Sequence, residues 1–325
     1  QLLSYSHDET ENLSFPPEVV LKPRTVEQVA GILQFCNTHK ITVTPCGART
    51  GLSGGSLPIF GGVALSMERF NTIIEIDDRN LQATVEPGVI NQVFRDAVEK
   101  EGLFYPPDPA SKGSCFLGGN LAENAGGPHC LLYGVTSNHV LGIEVVLEQG
   151  QTVLLGGKLK ESLGYDLRGV FIGSEGTFGL VTKVFLQLIE YPESTHTLLG
   201  SFPSIESAGN AVSAIIGKGI VPAALEMIDS LTIKSVEKVL KVGLPKNAGA
   251  VLLVEVEGLQ EDTQILRKEI DTKKINTQIE IDGGINFDNS KLAIEAGVNI
   301  LVSGTTIFKQ NEGDLKKNIQ LLRTG

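Results

Sequence analysis

Glycine-rich loops set between short β-branched runs dominate residues 45–179 of this chain. The first loop, residues 45–55, opens on Pro45 after the run Ile41, Thr42, Val43, Thr44. It carries Gly47, Gly51, Gly54 and Gly55 together with Thr50, Leu52 and Ser53. Glycine reaches the turns that aim successive backbone N–H groups into one concavity, so such a loop suits an anion, a pyrophosphate above all. Three further loops share this character. Residues 106–109 contain Pro107 and Asp108; residues 118–127 contain Gly118, Gly119, Ala122 and Gly127; residues 173–179 contain Glu175 and Gly176. None of these loops spells G-x-G-x-x-G or G-x-x-x-x-G-K-[ST], the two commonest nucleotide signatures. A plain turn explains any one loop, but the set implies an extended ligand of which a phosphate is only part.

Composition narrows the field. At 325 residues, with 41% hydrophobic and 20% charged residues, the chain is globular and long enough for two domains. A net charge of −11 argues against nucleic acid or an anionic membrane surface as partner. No apolar run approaches the roughly 20 residues that span a bilayer. Cys36, Cys46, Cys115 and Cys130 form no C-x-x-C pair, which suits reduced thiols and a cytoplasmic location. The chain opens on Gln1 rather than Met, so its natural start is expected to be missing.

The order of elements points to an α+β architecture. Residues 18–21 read as a strand, and Thr25 with Gln28 forms a capping-box pattern for a helix running to about His39. Short strands are expected at 41–44, 63–66, 73–76 and 83–85, then a helix over 91–101 ended by Gly102. Residues 142–147 and 152–155 read as a hairpin turning at Gln149 and Gly150. A strand over 180–188 follows. Beyond Ser194 the pattern becomes strand (198–202), helix (205–216), helix (231–242), strand (250–256), half of a ferredoxin-like sheet.

Residues 5–11, 85–88, 133–136 (Tyr133, Gly134, Val135, Thr136) and 164–167, taken with the loops above, resemble the FAD-binding domain of the vanillyl-alcohol oxidase and p-cresol methylhydroxylase superfamily. The nearest likeness is its glycolate oxidase and D-lactate dehydrogenase branch, over about residues 1–258. The resemblance implies non-covalent FAD, since no histidine sits where some relatives attach the flavin. Residues 47–55 would hold its pyrophosphate. Asp108, Gly118, Gly119, Ala122, Gly127, Tyr133 and Gly134 would line the rest, with Glu175, Gly176 and Val181 near the adenosine end. Arg49 departs from the small residue usual in the family. The implied reaction is oxidation of a 2-hydroxy acid, and the implied partners are that small acid, an electron acceptor and companion oxidase subunits.

The division expected is an FAD-binding domain at 1–193, a truncated cap domain at 194–260 and a third segment at 261–325. Residues 278–286 and 296–308 resemble the last two β/α units of ribulose-phosphate 3-epimerase, a (β/α)8 barrel. The chain therefore reads as a chimera joined between residues 257 and 270. There the resemblance would make Asp282 a catalytic acid and metal ligand, and Gly283, Gly284, Gly304 and Thr305 a phosphate cradle. The histidine cluster that serves catalysis in the flavin family has no match. His7, His39, His129, His139 and His196 show no metal-site spacing, so no metal is expected and the catalytic residues stay unassigned. The chain is thus expected to bind FAD with impaired turnover. FAD binding without turnover and a C-terminal epimerase activity are the alternatives.

Overall fold

The computed structural model describes residues 2–159, 164–192, 195–257, 267–268, 271–272, 277–282, 285–287, 290–303 and 305–324. Two compact units emerge, one formed by Gln1–Gly127 with Tyr133–Tyr191, the other by Pro128–Leu132 with Pro192–Gly325.

The first unit opens with β1 (Val19–Leu21), α1 (Val26–His39), β2 (Val43–Cys46) and β3 (Val63–Ser66), the strands forming a parallel sheet in the order β1-β3-β2. Thr25 caps α1 by accepting a hydrogen bond from the Gln28 N–H. The Gln28 side chain accepts from Arg24 N–H instead of closing the reciprocal box. Ile41 N–H still bonds to Cys36 O at the helix end, so β2 starts at Val43, later than the sequence suggests. Next come β4 (Ile73–Asp77), β5 (Gln82–Val85), α2 (Asn91–Glu99), β6 (Leu103–Phe104), α3 (Leu117–Glu123), then α4 (Cys130–Tyr133), whose first three residues fall in the second unit, and α5 (Thr136–His139). The unit then adds β7 (Val140–Val146), β8 (Thr152–Gly156), α6 (Arg168–Phe171), β9 (Leu180–Gln187) and β10 (Ile189–Glu190).

An antiparallel sheet runs β4-β5-β9-β7-β8, and β10 pairs with β6. The β7–β8 hairpin turns as expected, with Gly150 at φ 82°, a conformation that side chains resist. Strand β9 alternates strictly, so Leu180, Thr182, Val184 and Leu186 face the core. That core gathers Val85, Phe94, Tyr105, Ile143, Val145 and Leu188, while Val29, Leu65 and Phe70 anchor a second cluster beneath α1.

The second unit contains β11 (Thr195–Phe202), α7 (Ile205–Gly217), β12 (Ala224–Asp229), α8 (Ser230–Val239) and β13 (Ala250–Glu257), followed by β14 (Thr277–Asp282) and β15 (Ile300–Val302). Its sheet order is β12-β13-β11-β14-β15. The sequence suggests two helices in a row between the outer strands; the structure inserts β12 between them. Strand β12 pairs antiparallel with β13 along its whole length, and its last residue, Asp229, accepts from Thr232 N–H to cap α8. The C-terminal segment also departs from expectation. Strands β14 and β15 are parallel and linked through the helix Ser290–Glu295, but β14 is bonded antiparallel to β11 as well. The segment therefore extends the second unit's sheet, with Leu198, Val254, Val256, Ile285, Val298 and Leu322 in one core. Among the described residues no helix is long and apolar enough to cross a membrane, and all four cysteines are free thiols.

Candidate functional site

Three of the glycine-rich segments converge within the first unit. Strand β2 delivers Pro45 and Cys46, and the chain then turns into the first loop, where Arg49 takes a left-handed φ of 60°. The turn sets the Arg49 guanidinium 4.2 Å from the centre of the Tyr5 ring, a cation–π contact that gives this unusual residue its role. The Tyr5 hydroxyl donates to Glu68 at 2.5 Å, and Lys22 pairs with the same carboxylate at 2.7 Å. The first loop is thereby fastened from behind.

The second segment is not a loop over its first half. Residues 117–123 form α3, pinned in place by Leu117 N–H donating to Val89 O and Gly118 N–H donating to Pro87 O. Two adjacent glycines play opposite parts there. A Cβ on Gly118 would lie 2.5 Å from Pro87 Cβ, so only glycine lets the helix seat. A Cβ on Gly119 would meet nothing within 4 Å. Among the described residues the Gly119 N–H has no carbonyl acceptor, as first-turn helix amides lack partners within their own helix.

The third segment is tied to the second by Gly173 N–H donating to Leu121 O and Glu175 N–H donating to Ala122 O. Together the segments border a cleft whose empty space, open solvent included, is about 720 Å³. Pro45, Gly47, Gly55, Gly118, Gly119, Ala122, Glu175, Gly176 and Val181 line it, as do Cys46, Ser174 and Glu123. A second cleft, beside α1, shares Pro45, Gly176, Gly179 and Leu180 with the first.

Other candidate residues fall elsewhere. Thr50, Gly51, Leu52, Ser53 and Gly54 belong to the loop that supplies one wall but do not line the cleft, and Leu52 is 75% exposed. Ser53 Oγ reaches Glu123 at 3.4 Å. Asp108 is buried between Arg95 (3.4 Å) and Lys112 (3.2 Å), and Gly127 packs against its backbone. Pro107 O accepts from the Asn91 amide. Tyr133 meets Phe104 edge-on at 5.8 Å, and Gly134 turns at φ 79° where a side chain would strike Asn138. His139, next to this turn, bonds Tyr133 O, and burial lowers its pKa. Asp282 ends β14, Thr305 begins the helix Thr305–Lys309, and Gly283, Gly284 and Gly304 lie outside the described residues.

The electrostatics of the cleft are unusual for a phosphate site. Burial, the nearby Glu175 carboxylate and, more weakly, Asp8 raise the pKa of Glu123. A Cβ on Gly55 would sit 3.0 Å from Glu175 Oε2 and 3.6 Å from Glu123 Oε1, so both carboxylates crowd the same stretch of wall. Burial likewise pushes the Cys46 thiol up to about 11, against the pull of Arg49. No histidine or lysine lines the cleft among the described residues. Its chemistry is that of a binding groove: backbone donors, small residues, and two acceptors at one end.

Comparison with known proteins adds to this geometry. Residues 17–156 match the FAD binding domain family, and residues 191–284 match the family described as FAD linked oxidases, C-terminal domain. Glycolate oxidase subunit GlcD of Bacillus subtilis is 46% identical over 257 residues, 79% of this chain and 55% of the relative. D-lactate dehydrogenase of Anaerostipes hadrus is 36% identical over 299 residues, covering 91% of this chain and 60% of the relative. The chain thus spans little more than half the length of these curated relatives. The solved structure of p-cresol methylhydroxylase with substrate bound shares its fold, with a TM-score of 0.72 at 21% identity over 99% of this chain and 64% of that one.

Proposed function

From the premise that this chain is a flavoprotein, joining an FAD binding domain to sequence of the FAD-linked oxidase C-terminal domain and taking FAD as cofactor, we infer that it serves the oxidation of a 2-hydroxy acid. The observation that carries the reading is the cleft between the first loop, α3 and the 173–179 turn. Its residues fit the cofactor. The open space at Gly119 and its unengaged first-turn N–H leave room and a donor for a phosphate oxygen. The adjoining second cleft, which shares Pro45, Gly176, Gly179 and Leu180 with the first, extends the groove.

Glu123 and Glu175 are acceptors and would repel a diphosphate, so we assign them to the ribose hydroxyls at the adenosine end, with Gly176 and Val181. The wall of Gly47, Gly118 and Gly119 falls to the pyrophosphate, whereas Gly51, Ser53 and Gly55 lie against the two carboxylates and go with the ribose. We take attachment to be non-covalent, as the sequence resemblance implies. Bound there, FAD would supply the hydride acceptor for the substrate. What the chain supplies is position: orienting reactants can account for roughly 7–11 kcal/mol of a barrier.

The competing reading is FAD binding without turnover. Anaerobic mixing with glycolate, D-lactate and D-2-hydroxyglutarate, the acids in the names of curated relatives, separates the two. Stoichiometric bleaching of the flavin absorbance supports the oxidoreductase; a yellow protein that none of them bleaches supports the second reading. We assign no sugar-phosphate chemistry to residues 265–325. A closed barrel would be required, whereas β14 is bonded to β11 and β15 in the second unit's sheet, and the oxidase-type match runs to residue 284.

A further inference from the structure

Strand β13 buries Leu252, Val254 and Val256 in the core of the second unit. The period of two along a strand therefore puts Glu255 and Glu257 together on the opposite face. Their cross-strand neighbours are short: Thr197 and Thr195 on β11, and Ala224 on β12 beside Glu255. Residues 128–132 belong to the same unit and lay His129 over this pair of carboxylates. His129 Nε2 lies 3.0 Å from Glu255 Oε1, across 126 positions of sequence. One ligand atom from each of His129, Glu255 and Glu257 lies within 4.8 Å of the other two, the one such grouping among the described residues.

We propose that His129, Glu255 and Glu257 form a binding site for a divalent transition-metal cation of the Mn2+ or Zn2+ class. Two half-buried carboxylates this close repel each other. A divalent cation at this point is reached by one ligand atom from each of the three residues. The donor set decides the class of metal. One imidazole nitrogen with two carboxylates suits Mn2+, Zn2+ and their neighbours, while Mg2+ and Ca2+ favour oxygen-only shells. Three protein ligands leave coordination positions for water. Because His129 is so distant in sequence from β13, the ion would also clasp residues 128–132 to the sheet, so that binding and local stability are linked.

The test uses the full chain loaded with FAD, stripped with EDTA and dialysed, then titrated with MnCl2 under electron paramagnetic resonance. The site predicts one tightly bound Mn2+ per chain, displaced by Zn2+ and not by Mg2+, with pulsed spectra showing 14N modulation from one imidazole. His129→Gln should remove the modulation. Glu255→Gln and Glu257→Gln should each weaken binding at least 10-fold, at or beyond the loss expected for a mere second-sphere change. Circular dichroism establishes that each variant is folded, and the wild-type 14N signal stands even if one of them is not. Absence of stoichiometric binding would overturn the proposal and leave a simple ion pair. So would bound Mn2+ without 14N coupling, or binding indifferent to all three substitutions.

Discussion

Substituting Gly119 by valine separates what the cleft does for the fold from what it does for the cofactor. The structure leaves open space at Gly119, so the first carbon of a β-branched side chain meets no atom within 4 Å beyond its chain neighbours and its own helix backbone. Valine is a few tenths of a kcal/mol better than glycine in a helix, so the cofactor-free chain should keep its stability to within about 0.5 kcal/mol. The side chain would, however, fill the space assigned to the phosphates. FAD affinity should fall at least 100-fold, about 2.7 kcal/mol. Thermal melts with and without FAD read both quantities. At free FAD of about 100 times the wild-type Kd the wild-type chain gains roughly 2.7 kcal/mol, several degrees of melting temperature, and Gly119→Val should gain no more than about 0.4 kcal/mol. The neighbouring Gly118→Ala is the control of opposite character. Its Cβ would press on Pro87, so it should destabilise the cofactor-free chain by about 1–3 kcal/mol. A Gly119→Val chain that binds FAD as tightly as wild type would refute the placement of the cofactor.

Two further outcomes test the scaffold around the cleft. Phe94 is fully buried and meets Tyr105 edge-on at 5.1 Å, so Phe94→Ala should cost about 3–5 kcal/mol in urea-induced unfolding, with no change in the identity of the flavin retained. Cys46 has its thiol pKa raised by burial from 9.0 to about 11. A group whose folded pKa is raised gives stability that is fully present below the unfolded value and lost above it. Stability should therefore decline between pH 9 and 11, by on the order of 2–3 kcal/mol from this thiol. Cys46→Ala should flatten that part of the profile, and an unchanged slope would mean that the thiol is not the source.

Much of the first unit can be read from its residues because local signals and tertiary packing agree there. Thr25 caps α1, the turn at Gly150 closes its hairpin, and the alternation along 180–187 yields β9. The misses have physical causes. Glycine's low helix propensity hides α3, which forms because Pro87 O and Val89 O accept from its first amides. Strand β12 leaves Glu226 and Met227 exposed and lacks a clean alternation, so its pairing with β13 decides it. Strands β6 and β10 are two residues each, too short to leave a pattern. Pro45, Gly47 and Gly176 line the cleft and are singled out in the sequence by the loops' glycine content and the resemblance, but Glu123 is not. Its contact with Ser53 spans 70 residues, and its burial beside Glu175 is a property of the folded chain alone. The grouping of His129 with Glu255 and Glu257 is hidden for the same reason, since spacing along the chain says nothing about residues brought together from 126 positions apart.

The account stands most directly on the identity of the molecule the chain retains. The 325-residue chain, purified without added flavin and then denatured by heat, should release FAD at close to one equivalent per chain, identified by chromatography against FAD and FMN standards. Release of FMN, or of no flavin from a folded chain that also fails to take up added FAD, would contradict it.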